Sequence, residues 1–413
     1  MSSMKRWFQP GCVKSLVAGS LLVMLHVGSQ AQESLRPEVG KPLQAAQELV
    51  KAQKFKEALA KVREADAVGG KNAQETYLTE RMRMAAASGA GDVDTAGKAF
   101  DAISGNPKLN STDKLRMIES LAGGSYRAGN YARAMQWSQR YFKEGGSSAA
   151  IRNLLIQSQY LSGDFAGAQR ELTTEIQAAE RAGNPPPEER IKLLMNAALK
   201  QNDTGAYVYA VEKLVTYYPK KEYWIDLLSR LQRKPNFSDR LALDTYRLSL
   251  ATGSMTKASD YMEMAQLAVQ AGHPVEGKQV VDKGFAAAIL GTGPEADRHK
   301  RLRDLIVKRT EEDKQAQPAD LAEALQAKDG NALVSVGFNQ VLSGQAAKGL
   351  TLMQQGIAKG SLKRADDAKL HLGIAQILAG DSAKAQATFK SVTGNDGTAD
   401  LARLWALYAR RKS

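Results

Sequence analysis

Cysteine is almost absent from this chain: a single residue, Cys12, in 413 positions. Beyond residue 12 neither a disulfide framework nor thiolate chemistry is available. Histidine numbers four. The three beyond the first thirty residues, His273, His299 and His371, lack the i, i+3 or i+4 spacing of a metal site. Long hydrophobic runs are missing too. Ser15–Val27 is the notable one, and it falls short of the about 20 residues a membrane-spanning helix needs. No later run approaches that length, so no integral membrane segment is expected after it.

What surrounds that short run has a meaning of its own. Residues 1–14 carry Lys5, Arg6 and Lys14 and no acid, and the run ends in Gly28-Ser29-Gln30-Ala31. A basic start, an apolar middle and small residues at Ser29 and Ala31 predict a secretory signal peptide over residues 1–31, cut after Ala31. Cys12 precedes the apolar stretch, so it does not sit where a lipid-modified cysteine would. The expected location is the periplasm. The formal net charge is +13. The leader's three basic residues account for part of it, and the remaining excess suits an anionic neighbour in the envelope. An exported chain is not expected to bind nucleic acid.

Apolar residues recur at helical spacing through most of the chain, as in Leu154, Leu155 and Leu161 or Leu370, Ile374 and Ile377. Nothing alternates with period two for long enough to build a sheet, so the fold class is all-α. A short phrase repeats: glycine, a polar residue, then a helix with Ala or Gly five residues after the turn glycine. It stands at Gly129 with Ala134, Gly163 with Ala168, Gly344 with Gly349 and Gly380 with Ala385. Looser copies begin at Gln53 and Gly272, with degenerate turns near Gly91, Asn202 and Asn236. Seven residues before the turn another small residue recurs, at Ala122, Ala265, Gly337 and Gly373. Glycine inside a helix costs about 1 kcal/mol against alanine. Its repeated use at these positions predicts close helix crossings.

This pattern resembles the tetratricopeptide repeat, with a period of about 34–38 residues. The resemblance implies a right-handed α-solenoid of helix-turn-helix units. It also implies a groove, lined by the first helix of each unit, that holds a protein segment. Loops at Asn184–Pro187 and Gln315–Pro318 divide the array into repeats over 32–184, a middle group with a long basic helix over 188–314, and a C-terminal group over 319–413. The last helix, from Thr398 to Arg410, is expected to cap the array, burying Leu401, Leu404, Trp405 and Tyr408 and exposing Arg403 and Arg410. Between Tyr217 and Val281 the chain is also similar to periplasmic repeat proteins that accompany TonB-type energy-transduction systems.

No catalytic motif, cofactor site or metal site emerges. Gly291-Thr292-Gly293-Pro294 imitates a dinucleotide fingerprint but follows a helical stretch rather than a strand, so it reads as a turn. Asn395, Asp396 and Asp400 lack the spacing and terminal glutamate of a calcium loop. Two groups remain as candidate partner-binding residues. One is aromatic, Tyr207, Tyr209, Tyr217, Tyr218, Tyr223 and Trp224; Trp224 is expected in the core and Tyr217, Tyr218 and Lys221 outside it. The other is the basic helix with Arg298, Lys300, Arg301, Arg303, Lys308 and Arg309, its buried stripe expected from Leu302, Leu305 and Ile306. The sequence thus points to a non-enzymatic scaffold with protein partners in the envelope. An envelope module binding an anionic polymer or membrane surface through the basic helix is the alternative, and a helical-toroid cell-wall enzyme a second one.

Overall fold

The computed structural model describes residues 35–411. The leader expected at residues 1–31 lies outside them. The described residues form twenty α-helices, one short 3-10 turn at Asp239–Leu241 and no strand. They divide into two compact units, one ending at Tyr207 and the other beginning at Val208.

The first unit is built from helix pairs. These are α1 (Pro37–Lys51) with α2 (Phe55–Asp66), and α3 (Ala73–Ala90) with α4 (Val93–Ile103). Then come α5 (Ser111–Arg127) with α6 (Tyr131–Lys143), and α7 (Ala149–Ser162) with α8 (Phe165–Arg181). Helix α9 (Glu188–Lys200) follows, joined to α8 by the proline loop at 184–187. The division between units falls inside α10 (Thr204–Tyr217). Each helix from α1 to α9 packs on the next, and α1, α3, α5 and α7 also touch in series. That contact pattern is an α-solenoid, in which each repeat meets mainly its neighbours.

The recurring phrase has a local cause. The chain reverses at a residue with positive φ: Gln53 at 59°, Gly91 at 77°, Gly129 at 75°, Gly163 at 89° and Asn202 at 54°. Glycine and asparagine enter that left-handed region with little steric cost. The polar residue after it starts the next helix. Asp92, Asn130, Asp164 and Asp203 each accept a hydrogen bond from the backbone N–H three residues on. Glycine therefore ends one helix and Asp or Asn caps the next. The degenerate turns at Gly91 and Asn202, and the looser copy at Gln53, share this positive φ with the clear ones; Asn236, expected as a third degenerate turn, does not. Between the helices, Ala122 and Ala134 are fully buried, and Phe100 meets Trp137 edge to face at 5.5 Å.

The second unit contains the end of α10, then α11 (Lys221–Gln232), α12 (Ala242–Thr252), α13 (Ala258–Gln270) and α14 (Pro274–Ala286). A single 31-residue helix, α15 (Ala296–Gln326), comes next. The unit ends with α16 (Asn331–Leu342), α17 (Ala346–Lys359), α18 (Ala365–Leu378), α19 (Ser382–Lys390) and α20 (Thr398–Arg410). The segment 315–318, expected as a loop, lies inside α15, with Pro318 on an exposed face. Proline inside a helix costs about 3 kcal/mol. Both halves of α15 are anchored and offset it: Leu302 and Ile306 join the core of α13 and α14, while Leu321 and Ala324 pack with Leu333 and Leu352. The long basic helix expected before residue 315 therefore forms and runs on, unbroken, through the segment expected as a loop.

Helices α16 and α17 cross backbone to backbone. A Cβ added at Gly349 would lie 2.4 Å from the Gly337 carbonyl oxygen, and one at Gly356 would lie 2.7 Å from that of Gly330. In the next pair, a Cβ at Gly373 would lie 2.3 Å from the Phe389 ring. Ala168 in the first unit and Ala385 in the second are fully buried at the matching positions.

Helix α20 buries Leu401, Leu404, Trp405 and Tyr408 as expected of a last helix, but it does not cap an open end. It packs on α18 and α19 and also reaches α12. The Ser238 N–H donates to the Asp396 carbonyl at 2.9 Å, and Phe237 lies over Gly397, where an added Cβ would meet its ring at 2.4 Å. Arg403 and Arg410 are exposed, as expected, and Arg403 pairs with Glu212 of α10 and with Asp400. The second unit closes on itself.

Candidate functional site

The aromatic group is dispersed. Trp224 is 1% exposed and belongs to the core, as does Tyr207. Tyr217 and Tyr218, expected outside the core, are half-buried, and Lys221 is exposed. Lysines lie over two of the other rings: Lys213 Nζ is 5.0 Å from the Tyr209 centroid and Lys220 Nζ 5.8 Å from that of Tyr223. These cation–ring contacts hold the rings against the helix surface.

The basic helix is α15, and its cations are largely answered by carboxylates. Arg298 pairs with Glu295 at 3.1 Å, Arg303 with Asp282 at 2.9 Å and Arg309 with Glu312 at 2.9 Å. Lys300 and Lys308 have looser partners in Asp297 and Glu312. Among the described residues only Arg301 of this group makes no ion pair. Of the expected buried stripe, Leu302 and Ile306 are buried and Leu305 is 50% exposed; His299 is buried as well. His299 Nδ1 accepts a hydrogen bond from the Gly291 N–H at 3.1 Å and so fixes the turn that enters α15. The Gly291–Pro294 letters are that turn, with Gly291 and Gly293 at positive φ.

The densest chemistry lies in a place the sequence did not single out. Arg247 of α12 is buried and donates to Glu276 of α14 through Nε at 2.7 Å and a terminal nitrogen at 2.6 Å. Its other terminal nitrogen donates to Asp244 at 2.6 Å. His371 of α18 lies 3.0 Å from the same Asp244 carboxylate. The guanidinium carbon sits 4.7 Å from the ring centroid of Phe338 in α16, which also meets His273 and His371. His273 Nδ1 is 2.6 Å from Asn339 Oδ1, and Asn339 donates back to the Gly272 carbonyl. Two histidines separated by about a hundred residues thus meet through one phenylalanine.

The electrostatics follow from burial and pairing. Burial alone would raise the Asp244 carboxyl, but His371 and Arg247 outweigh it and hold it well below the usual carboxylate range. Burial works against the Arg247 cation, yet Glu276 and Asp244 overcome it and keep the guanidinium charged. His273 is pushed down to about 4, by burial first and by the Arg247 charge second. Between about pH 6.5 and 4 the unfolded chain therefore takes up a proton at His273 that the folded chain refuses. The full contribution is present above pH 6.5 and fades as pH falls, by up to about 3 kcal/mol. Urea midpoints of the second unit across that range should decline more steeply in the native chain than in His273→Gln. Parallel curves would show that His273 titrates freely in the folded state.

Among the described residues no three His, Cys, Asp or Glu side chains form a metal-binding group. Asp396 instead accepts from Thr398 and pairs with Arg240, and Asp400 pairs with Lys234 at 2.7 Å. No described helix is long and apolar enough to cross a membrane.

No family model matches the chain. No curated protein matches it either. Among solved structures, the chain is similar to the crystal structure of the yeast Tom70, at 12% identity over 90% of this chain and 96% of that one. The TM-score is 0.24. What the chain's own helices establish is an all-α solenoid of helix-turn-helix repeats.

Proposed function

We propose that this chain is a non-enzymatic periplasmic scaffold that mediates protein–protein interaction in the cell envelope, accessory to a TonB-type or other envelope complex. One observation carries the reading. In the first unit the leading helices α1, α3, α5 and α7 touch in series, which presents one continuous helical face of the kind a protein segment can lie along. The leader pattern at residues 1–31 supports export, and the likeness over Tyr217–Val281 supports the choice of complex.

The polymer-binding alternative is weakened by the ion pairs of α15. Five of its seven lysines and arginines already face a carboxylate within about 4 Å, which reduces the outward field. Reversing Arg298, Arg301 and Arg303 to glutamate should leave retention on an anionic cell-wall polymer unchanged to within about twofold. Complete loss of retention would favour the alternative.

The scaffold reading is tested by crosslinking the full chain in its own cells and identifying what is captured. Envelope proteins should be recovered reproducibly. Tyr217→Ala/Tyr218→Ala should lose at least one of them if those tyrosines belong to the binding face. Recovery of the chain alone, with hydrolytic activity on cell-wall material, would replace the scaffold reading by an enzymatic one.

A further inference from the structure

The second unit is closed by contacts of a different character from those that build it. Its helix pairs meet through apolar cores: Met264, Ala265, Val280 and Val281 between α13 and α14, and Phe389 stacked on Trp405 between α19 and α20. Where residues 212–247 meet residues 367–403, the contacts are polar in succession. Glu212 pairs with Arg403, Lys234 with Asp400 at 2.7 Å, and Asn236 donates to the Asn395 carbonyl. Ser238 N–H donates to the Asp396 carbonyl at 2.9 Å. Arg240 binds Asp396, Thr398 at 3.1 Å and Asp367 at 3.1 Å, and Asp244 meets His371 at 3.0 Å. Phe237 over Gly397 adds an aromatic contact.

The geometry points to this row as a seam at which the second unit opens and recloses as a ring, under the control of ionic strength. Three features lead there. The outer pairs are partly exposed: Lys234 at 43%, Asp396 at 41% and Arg403 at 45%. Pairs of that exposure are individually weak and are screened by salt. Opening also strands no buried cation. Arg247 holds both Glu276 and Asp244 from its own side of the seam, so it stays neutralised when His371 withdraws. Lastly, α20 remains fixed to α18 and α19 by its apolar face, so each side moves as a packed block.

The Ser238 amide reads the opening directly, because its acceptor lies across the seam. Amide exchange of the full chain, compared in about 0.05 M and about 1 M NaCl, should show Ser238 exchanging at least about fivefold faster at high salt. Amides of α16 and α17 should keep their rate, and Arg240→Gln should reproduce the high-salt behaviour at low salt. A Ser238→Cys/Asp396→Cys disulfide, made with Cys12→Ser, should abolish the salt effect. Two outcomes overturn the seam: a Ser238 rate indifferent to salt, or a rate that rises together with those of α16 and α17, which would mean the unit loosens as a whole. Both are readable in the native chain, whether or not the variants fold.

Discussion

Arg247→Met is expected to cost the second unit about 3–5 kcal/mol, the largest loss from any single polar substitution in it. The guanidinium carries three hydrogen bonds of 2.6–2.7 Å to two buried carboxylates. Methionine matches much of its length but leaves Glu276 and Asp244 beside each other with no permanent cation between them. Like charges in a dry site cannot both stay ionised, so one must take a proton or the site must admit water. Urea unfolding read from Trp224 and Trp405, both buried in this unit, would measure the loss. Adding Asp244→Asn and Glu276→Gln to Arg247→Met should recover much of it, because the strandedness of the carboxylates, not the absence of the pair, is what costs. A loss under about 1 kcal/mol for Arg247→Met alone would show that the carboxylates are already solvated.

Gly349→Val is expected to cost about 3 kcal/mol in the same unit, by a wholly different route. Its Cβ would stand 2.4 Å from the Gly337 carbonyl oxygen and 2.6 Å from Val341. The nearest obstacle is backbone, which cannot rotate aside as a side chain does. Helices α16 and α17 would have to part along their length, and Leu352 and Met353 would lose contacts with them. Gly129→Ala offers the contrast, since nothing lies within 4 Å of its Cβ and only φ of +75° is unfavourable. That substitution should cost about 1 kcal/mol. Equal losses at the two positions, in paired thermal or urea melts, would mean that the crossing is looser than its backbone contacts indicate.

The reading of turns and crossings from sequence worked because both are local. A left-handed residue and its capping Asp or Asn are neighbours in the chain, and the small residues recur at fixed distances from them. Even the glycine crossing of α16 and α17 was half visible: Gly337 and Gly349 stand in the repeat pattern, while Gly330 and Gly356 lie outside the positions it marks. The buried cluster had no such signature. Asp244, Glu276 and His371 come from three helices and His273 from the turn that enters α14, up to 127 residues apart, and each looks ordinary among its own neighbours. His273 before a proline reads as a turn residue, which it also is. The loop expected at Gln315–Pro318 misled for the opposite reason. A strong local signal, proline, was overridden by packing at Leu302 and Ile306 on one side and Leu321 and Ala324 on the other. Ring closure escaped because Gly394–Gly397 and Asp400 explain themselves as a turn and a helix start, with nothing to indicate that their carboxylates face Arg240 and Lys234.

Helix α15 also sets how the second unit can change in length. Ile306 and Ala324 lie 18 residues apart, five full turns, so the two anchors share one face of the helix. Inserting one residue between Lys308 and Asp320 would turn the far anchor by about 100° and push it along the axis by about 1.5 Å. Ala324 would then face solvent while the first anchor stayed in place. Changes of length here are tolerable only in whole turns, whereas the loops at Ser361–Lys363 and Gly145–Ser147 impose no such phase. Natural variation in this molecule should therefore leave the span of α15 constant and place its insertions between the helix pairs.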